Sequence, residues 1–304
     1  MPGLMLLDTA SLYFRAFYGV PESVTSPDGR PVNAVRGLID MIATLVRSGS
    51  PTELVACMDA DWRPAFRVAA VPSYKAHRVA EGDQEDVPDA LAPQVPIIEE
   101  TLDALGIARI GVAGYEADDI IGTCTARAKG PVDIVTGDRD LFQLVDDARQ
   151  IRVLYTARGI RNLQVVDEAA VTAKYGIPGR TYADFATLRG DPSDGLPGVP
   201  GVGDKSAAAL INRFGDLPAM LAALDAGQTE GFPAGARTKL SAARDYLRVA
   251  PAVVKVAHDA PLPDIDLTLP AEPRDKRALV ALADRHGLDG PLNRLLDALA
   301  KTTA

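Results

Sequence analysis

The chain has 304 residues, of which 47% are hydrophobic and 24% are charged. This balance is typical of globular proteins, and the length fits one large domain or two smaller ones. It excludes a disordered, collagen-like or disulfide-stapled chain, and no apolar run approaches the roughly 18 residues of a membrane span. The start of the chain lacks the basic segment of a signal peptide, so we expect a cytoplasmic protein with no membrane partner. Cys57 and Cys124 stand in apolar segments and are expected to be buried core residues.

Short apolar runs alternate with helical patterns through the first half of the chain. We predict strands at 3–7, 54–58, 132–136, 151–155 and 160–165, and helices at 10–18, 31–47, 91–105 and 116–129. Buried strands separated by helices are typical of α/β proteins. The expected fold is therefore a mostly parallel central sheet with helices on both faces.

The pattern after residue 165 is helical. We predict helices from 168 and at 184–188, 204–214, 217–224, 236–249, 274–286 and 291–300, with a glycine- and proline-rich segment before residue 204. The expected organisation is an α/β domain at 1–165 and a helical part at 166–304.

Acidic side chains follow three of the predicted strands. Asp8, Asp59 and Asp138 come directly after a strand, and Asp140 lies two residues further on. The carboxyl ends of parallel strands meet at one edge of the sheet, where ligands bind in such folds. One aspartate after a strand is commonly a helix cap. Three at a single edge predict a functional cluster.

Two more acidic groups have the spacing of metal ligands. Glu116, Asp118 and Asp119 open a predicted helix, and Asp191 and Asp194 lie three residues apart in the glycine-rich segment. Helix capping or turn formation remains an alternative for each group taken alone. No histidine or cysteine accompanies these acids, and an all-oxygen ligand set favours Mg²⁺ or Mn²⁺ over zinc.

The nine acids also change how the net charge of −9 is interpreted. An acidic chain is a poor partner for nucleic acid, but removing these nine charges leaves a balance of zero. Many carboxylates around two or more ions are typical of phosphoryl transfer. The net charge therefore does not exclude a nucleic-acid substrate.

Basic and aromatic residues alternate between residues 62 and 78. The segment contains Arg63, Arg67, Lys75, Arg78, Trp62, Phe66 and Tyr74. Such a composition suits a nucleic-acid strand, because cations meet phosphates and rings stack on bases. A solvated basic helix with its rings in the core explains the composition equally well.

A glycine-rich turn at 198–206 precedes a predicted helix. It is not a phosphate loop of the nucleotide-binding type, because Asp204 separates Gly203 from Lys205. We predict that Gly201, Gly203, Lys205 and Ser206 contact a phosphate of the DNA backbone. An ordinary interhelical turn is the alternative.

Five sequence blocks between residues 4 and 207 resemble the 5′-nuclease or flap endonuclease family. The resemblance is closest to the 5′-nuclease domain of bacterial DNA polymerase I, here as a freestanding nuclease. The blocks are LMLLDTASLYFRAFYG, VACMDADWRPAFR…YKAHR, GYEADDIIGT, IVTGDRDLFQLV and GDPSDGLPGVPGVGDKSA. The resemblance implies a PIN-like nuclease core, a helical arch at about 62–93 and a DNA-binding helical part of the helix–hairpin–helix type.

The resemblance also implies roles for particular residues. A first metal group would comprise Asp8, Asp59, Glu116 and Asp118, and a second Asp119, Asp138, Asp140, Asp191 and Asp194. Lys75 and Arg78 would engage the scissile phosphate, and Tyr74 would stack on a base. K⁺ would bind at the glycine turn, with Ser193 and the carbonyl groups of Val199 and Val202 as ligands. The acidic run at 81–86 departs from the family's arch.

The expected activity is metal-dependent 5′-3′ exonuclease and 5′-flap endonuclease cleavage of DNA. We expect a monomer that acts on free 5′ ends, flaps or nicks, including RNA primers, during replication and repair. Two alternatives remain: a PIN-like RNA nuclease and a non-catalytic protein that binds DNA junctions.

Overall fold

The computed structural model describes residues 3–80 and 84–302. Its sheet consists of β1 (Leu4–Asp8), β2 (Glu53–Cys57), β3 (Ala108–Ile110), β4 (Val132–Thr136), β5 (Ile151–Tyr155) and β6 (Gln164–Val166). The spatial order is β3-β2-β1-β4-β5-β6. Strands β1 to β5 are parallel and β6 is antiparallel to β5. The predicted mostly parallel sheet is confirmed.

Fourteen α-helices occur in the described part of the chain. They are α1 (Thr9–Gly19), α2 (Asn33–Gly49), α3 (Ala65–Ala70), α4 (Gln94–Leu105), α5 (Ala117–Arg127), α6 (Glu168–Tyr175), α7 (Tyr182–Arg189), α8 (Asp204–Phe214), α9 (Leu217–Asp225), α10 (Ala236–Ala242), α11 (Arg244–Val249), α12 (Pro251–Val254), α13 (Lys276–His286) and α14 (Asp289–Thr302). Between residues 3–80 and 84–302, no single helix has the length and apolarity to cross a membrane. Only α8 and α9 joined, with an 80° bend between them, pass that test of length and composition.

The structure departs from the predicted elements in several places. The predicted strand 160–165 begins as a 3-10 helix at Ile160–Asn162, and only its end pairs as β6. The predicted helix 236–249 is divided into α10 and α11. Strand β3 is absent from the prediction, because three residues that include a charged arginine do not form a recognisable apolar run.

Alternating side chains of β1 divide the core into two layers. Leu4 and Leu6 belong to the layer formed with α5 to α12, and Met5 and Leu7 belong to the layer formed with α1, α2, α4, α13 and α14. Cys57 and Cys124 are buried and free in the first layer, as predicted. That layer is continuous across residue 165, so the division at this position stays a prediction.

The chain reverses its direction of travel across the sheet between β1 and β4. Strands β2 and β3 follow β1 on one side, and β4 to β6 lie on the other side. The carboxyl ends of β1 and β4 therefore border the crevice in which open α/β sheets bind ligands. Asp8 ends β1, and Asp138 lies two residues past the end of β4.

Candidate functional site

Asp8 joins the ends of two neighbouring strands. Its Oδ1 accepts a hydrogen bond from the Ser11 amide at 3.1 Å, so the residue caps α1. Its Oδ2 accepts a hydrogen bond from the Thr136 hydroxyl at 2.6 Å. The same hydroxyl oxygen accepts a hydrogen bond from the Asp138 amide at 2.8 Å. These contacts hold Asp8 and Asp138 on either side of the crevice.

The second strand end is joined to the start of α5. Asp59 Oδ1 accepts a hydrogen bond from the Ala117 amide at 2.7 Å. Glu116 caps this helix, and Asp119 Oδ2 accepts a hydrogen bond from the Glu116 amide at 3.1 Å. Asp59 and Glu116 therefore both cap the start of α5 and belong to the acidic cluster.

Asp119 and Arg67 do not lie at the surface of the site. Asp119 is fully buried, and its Oδ1 accepts hydrogen bonds from Arg67 Nη2 at 2.7 Å and from the Ala257 amide at 2.8 Å. Arg67 is 2% exposed and also pairs with Glu116. The predicted DNA contact at Arg67 is wrong, because its guanidinium is buried and paired with these acids. The metal ligand at Asp119 stays a prediction, since Asp8 and Glu116 are also buried and hydrogen-bonded.

Tyr74 is likewise buried, with 3% of its surface exposed. Its hydroxyl donates a hydrogen bond to Glu116 Oε2 at 2.7 Å. The predicted stacking of Tyr74 on a base is therefore wrong, since the ring has no free face and the hydroxyl positions a carboxylate. Lys75 pairs with the other oxygen of Glu116 and donates to the Trp62 carbonyl at 3.3 Å.

The acids of the glycine-rich segment are held by arginines and a serine. Asp191 Oδ1 accepts hydrogen bonds from the Ser193 amide at 2.9 Å and the Ser193 hydroxyl at 2.5 Å. Arg189 Nη2 lies 3.4 Å from Asp191 Oδ2. Arg78 Nη2 donates to Asp194 Oδ1 at 3.0 Å and to the Ser193 carbonyl at 2.7 Å. Arg78 thus joins the basic segment to the second acidic group.

A cleft of about 700 Å³ lies at this edge of the sheet. The predicted residues that line it are Asp8, Asp59, Glu116, Asp118, Asp138, Asp191, Lys75, Arg78, Trp62 and Ser193. Asp140 and Asp194 lie beside these residues without lining the cleft. Asp140 donates its amide to Asp138 Oδ1 at 2.8 Å. The structure therefore brings most of the predicted acids together.

The clustered carboxylates carry a high electrostatic cost. Burial raises the pKa of Asp8 to about 7; the Thr136 hydrogen bond opposes this and the charge of Asp59 adds to it. Burial, followed by the charges of Asp138 and Asp8, raises the pKa of Asp118 well above its ordinary value. Burial and the charge of Asp138 raise the pKa of Asp140 in the same way. A bound cation would remove this cost.

The oxygen-only donor set fits a hard divalent cation. Among the described residues, no three Asp, Glu, His or Cys side chains are already arranged to hold one ion. Asp8 and Glu116 instead accept hydrogen bonds from Thr136, Tyr74 and Lys75. Ion binding therefore requires the carboxylates to rotate from these donors toward the cleft.

Five residues that line the cleft are not among the predicted site residues. Phe14 on α1, Arg139 after β4, Arg158 between β5 and β6, Lys174 on α6 and Glu85 all line it. Arg139 stands between two predicted acidic ligands, and Arg158 occupies a turn between two predicted strands. Arg139 and Arg158 could have been predicted to line the cleft, because each lies shortly after the end of a predicted strand.

The predicted arch at 62–93 is helical only in part. It contains α3, a 3-10 helix at Ala76–Arg78 and an antiparallel bridge between Val79 and Glu85. Residues 81–83 of the acidic run lie outside the described residues. The Arg63 guanidinium donates to the Tyr74 and Pro72 carbonyls at 2.6 and 3.1 Å, so it supports this segment, and its DNA contact stays a prediction.

The glycine turn buries its valines and exposes backbone. The Val199 amide donates to the Leu188 carbonyl at 2.8 Å, and Val199 and Val202 are buried. A Cβ at Gly198, where φ is +65°, would lie 2.4 Å from the Arg189 carbonyl oxygen. Gly201, Gly203 and Lys205 are exposed and Ser206 is half-buried. The predicted DNA-facing residues are therefore accessible.

The predicted K⁺ ligands have other contacts in the structure. The Val199 carbonyl accepts a hydrogen bond from the Val202 amide at 2.9 Å. Ser193 lines the acidic cleft and donates its hydroxyl to Asp191. Lys239 Nζ instead donates to the Gly201 carbonyl at 2.7 Å. K⁺ at Ser193, Val199 and Val202 therefore stays a prediction, since one hydrogen bond leaves the Val199 carbonyl able to bind a cation as well.

Comparisons with known solved structures support the fold. The T5 D15 protein co-crystallised with metal ions has a TM-score of 0.63 at 16% identity, covering 99% of this chain and 100% of its own. The catalytic core of Rad2 in complex with DNA substrate has a TM-score of 0.56 at 19% identity, covering 99% and 92%. At these identities the likeness concerns the fold alone.

Sequence comparisons show the family. Residues 3–176 match the N-terminal resolvase-like domain of 5′-3′ exonucleases, and residues 177–276 match their C-terminal SAM fold. A 5′-3′ exonuclease of Streptomyces coelicolor is 64% identical over 97% of this chain and 99% of its own length. One of Mycobacterium tuberculosis is 51% identical over 97% of both. DNA polymerase I of Mycobacterium bovis is 39% identical over 98% of this chain but only 32% of its own. The chain belongs to the 5′-3′ exonuclease family and is a nuclease that acts on DNA.

Proposed function

We propose that this protein is a divalent-metal-dependent 5′-3′ exonuclease and 5′-flap endonuclease that hydrolyses DNA phosphodiesters in the acidic cleft. The observation that carries the proposal is the convergence of Asp8, Asp118 and Asp138, with four further acids, at the switch point of the sheet. Metal-assisted hydrolysis of phosphodiesters uses carboxylates crowded in this way to hold its ions, whereas like charges crowded without a cation are costly.

The proposed cofactors are two or more Mg²⁺ or Mn²⁺ ions. A first group of ligands comprises Asp8, Asp59, Glu116 and Asp118, and a second comprises Asp138, Asp140, Asp191 and Asp194. When bound, such ions supply an activated water and neutralise charge at the reacting phosphate. The T5 D15 protein, which shares this fold, was co-crystallised with metal ions, and this supports a metal-dependent activity.

Lys75 and Arg78 are proposed to bind the scissile phosphate. Both line the cleft and both are anchored to acids of the site, Lys75 to Glu116 and Arg78 to Asp194. A cation held in this position stabilises negative charge as it develops on the phosphoryl oxygens. Tyr74 and Arg67 also contact the Glu116 carboxylate from the protein interior. These two contacts would keep the carboxylate in place when Lys75 leaves it to bind the phosphate.

The bound strand is proposed to follow a path of rings and cations. The half-buried rings of Phe14 and Trp62 line the cleft and are available for base stacking, unlike Tyr74. Arg139, Arg158 and Lys174 line the same cleft and are exposed, so they are placed to meet backbone phosphates. These contacts read backbone and shape, so little sequence preference follows.

The duplex beyond the cleft is proposed to rest on the glycine turn. Asn212 of α8 donates to the Gly176 carbonyl at 2.7 Å, two residues from Lys174. Helix α8 thus leads from the cleft toward Lys205 and the turn. The substrates are DNA with free 5′ ends, flaps or nicks, including RNA primers. The protein would act as a cytoplasmic monomer that removes primers or flaps in replication and repair.

A cleavage assay with 5′-labelled DNA and RNA flaps tests the proposal. We expect cutting of the DNA flap near its junction with Mg²⁺ or Mn²⁺ and none with chelator. Preferential cleavage of single-stranded RNA would favour the PIN-like RNA nuclease. Binding of the DNA flap without any cleavage in either metal would favour the junction-binding protein.

A further inference from the structure

Lys75 adopts a backbone conformation that residues with a side chain rarely take. Its φ is 47° and its ψ is 19°, in the left-handed region. Between residues 3–80 and 84–302, Ser50 and Gln150 are the only other non-glycine residues with a positive φ, and each follows the last residue of a helix, where this conformation is common. Lys75 instead stands directly before the 3-10 helix at Ala76–Arg78. Contacts from outside this segment are therefore needed to hold the lysine in place.

The loop at 191–195 provides these contacts. The amide of Lys75 donates to the Asp194 carbonyl at 2.9 Å. The hydroxyl of Ser73 donates to the carbonyl of the next loop residue, Gly195, at 2.7 Å. Two successive carbonyl groups of the loop thus hold the backbone of Lys75 and the side chain two residues before it.

Gly195 permits this close approach because it has no side chain. A Cβ at this position would lie 2.1 Å from the Ser73 carbonyl oxygen and 3.5 Å from the Lys75 amide nitrogen. The Ser73 carbonyl cannot move away freely, because it accepts a hydrogen bond from the Ala76 amide at 3.2 Å and so belongs to the turn around Lys75. Any side chain at 195 would therefore displace Lys75 from the loop.

The side chains beside this contact belong to the proposed active site. The Lys75 ammonium pairs with Glu116 and lines the cleft. The Asp194 carboxylate accepts a hydrogen bond from Arg78 and is assigned to the second group of metal ligands. The backbone contacts therefore connect a phosphate-binding lysine to a loop that is proposed to hold an ion.

We propose that Ser73 and Gly195 are positioning residues that hold Lys75 in its left-handed conformation against the loop at 191–195. The proposal rests on the proposed function, which assigns the scissile phosphate to Lys75. Because the amide of Lys75 is bonded to a backbone carbonyl of the loop, the lysine keeps its distance from the second group of acids when the cleft binds DNA. A hydroxyl at 73 and a glycine at 195 are what this arrangement requires.

Single-turnover cleavage of a 5′-labelled DNA flap in Mg²⁺ tests this inference. The dissociation constant for the same flap is measured in Ca²⁺, with gel analysis to check that the DNA stays intact. Ser73→Ala should cleave about fivefold more slowly, the value of one neutral hydrogen bond. Ser73→Thr keeps the hydroxyl and should restore the rate. Ser48→Ala is the matched control, because the exposed Ser48 donates to the Leu45 carbonyl within α2 and does not line the cleft.

Gly195→Ala should cleave about a hundredfold more slowly, since a displacement of about 1 Å at a reacting group costs this much. Its dissociation constant should stay within about twofold, because affinity depends on many phosphate contacts. Gly227→Ala is the matched control. The φ of Gly227 is +72° and that of Gly195 is +71°, but a Cβ at 227 has no neighbour within 4 Å. The two variants therefore share the backbone strain and differ in the clash with Ser73.

Three results would overturn the inference. One is cleavage by Ser73→Ala as fast as by Ser48→Ala, which decides the matter even if Gly195→Ala does not fold. Another is equal cleavage by Gly195→Ala and Gly227→Ala. The third is a loss of DNA affinity that accounts for the slower cleavage, since a positioning residue affects the rate at saturating DNA. Absence of flap cleavage by the unmodified protein would refute the proposed nuclease activity, whereas any of the three results beside normal cleavage by that protein would refute only the positioning role.

Discussion

Arg67 Nη2 donates to Asp119 Oδ1 over 2.7 Å, and neither side chain is exposed beyond a few per cent. The pair joins α3 of the basic segment to α5 of the acidic cluster. Arg67 also pairs with Glu116, which lines the cleft. Arg67 was predicted to contact DNA and Asp119 to bind a metal ion. In the structure the two residues pair with each other, and Arg67 also positions the carboxylate of Glu116.

Asp138→Asn should lower cleavage of a DNA flap at least a thousandfold and spare DNA binding. The amide keeps the shape of the side chain but removes the charge that faces Asp118 and Asp140. Asp133→Asn is the control, because Asp133 lies on the same strand and pairs with Arg152 away from the cleft. Single-turnover cleavage and binding in Ca²⁺ measure the two effects. Normal turnover by Asp138→Asn would refute its role as a metal ligand.

Tyr74→Phe distinguishes a buried positioning residue from a stacking residue. Loss of the hydroxyl leaves Glu116 Oε2 with one donor fewer, so we expect cleavage about tenfold slower at saturating DNA, the value of one hydrogen bond to a charged group. The dissociation constant for DNA should not change. Tyr18→Phe is the control, since Tyr18 is 73% exposed on α1. A ring that stacked on a base would still do so as phenylalanine, and full activity would restore that interpretation.

Arg158→Gln and Lys174→Met should each weaken binding to flap DNA. Each variant removes one exposed cation from the cleft, and the slope of log K against log salt should fall by about one unit. Titrations from low to moderate KCl measure the slope, and the control is Lys129→Met, at an exposed lysine that precedes β4. Slopes equal to that of the control would place the bound strand elsewhere.

Lys205→Ala should weaken binding to duplex DNA and reduce its salt slope by about one unit. Lys205 is exposed in the first turn of α8, beside the open backbone of Gly203. Single-stranded DNA should bind as before, because the lysine lies away from the acidic cleft. Lys301→Ala, near the end of α14, is the control. An unchanged slope with duplex DNA would remove Lys205 from the interface.

The metal-free protein should lose stability as the pH rises from about 4 to 7. Burial raises the pKa of Asp8 to about 7, so the folded state binds a proton that the unfolded chain releases near pH 4. Ionisation of the Asp8 carboxyl therefore lowers the free energy of unfolding as the pH rises through this range. A bound divalent cation would offset this loss. Melting temperatures measured with EDTA and with Mg²⁺ should diverge as the pH rises to 7.

Asp8→Asn is the control for this pH dependence. The variant cannot ionise at this position, so the gap between its two melting temperatures should change less with pH. If the melting temperatures of the unmodified protein with Mg²⁺ and with EDTA differ by the same amount at pH 5 and pH 8, the raised pKa of Asp8 would be contradicted.

The acidic edge of the sheet was predictable because its pattern is local. Asp8, Asp59 and Asp138 each follow an apolar run, and parallel strands bring the residues after such runs to one edge. The capping contacts of Asp8 and Asp59 do not conflict with this prediction, because a carboxylate at the end of a strand can do both. Strand β3 was not predicted, because its apolar pattern is too short to recognise. The helix predicted at 236–249 was too long, because the chain interrupts it between α10 and α11.

The sequence by itself determined the α/β core, the all-oxygen cluster and the nuclease family, because apolar periodicity, strand-end acids and family motifs lie within short segments. Only the tertiary structure decided that Arg67, Tyr74 and Asp119 point inward. It also placed Lys239 at a turn 38 residues earlier in the chain. The direction of a polar side chain depends on which distant partner offers a hydrogen bond or a charge, and that partner is known only once the layers have packed.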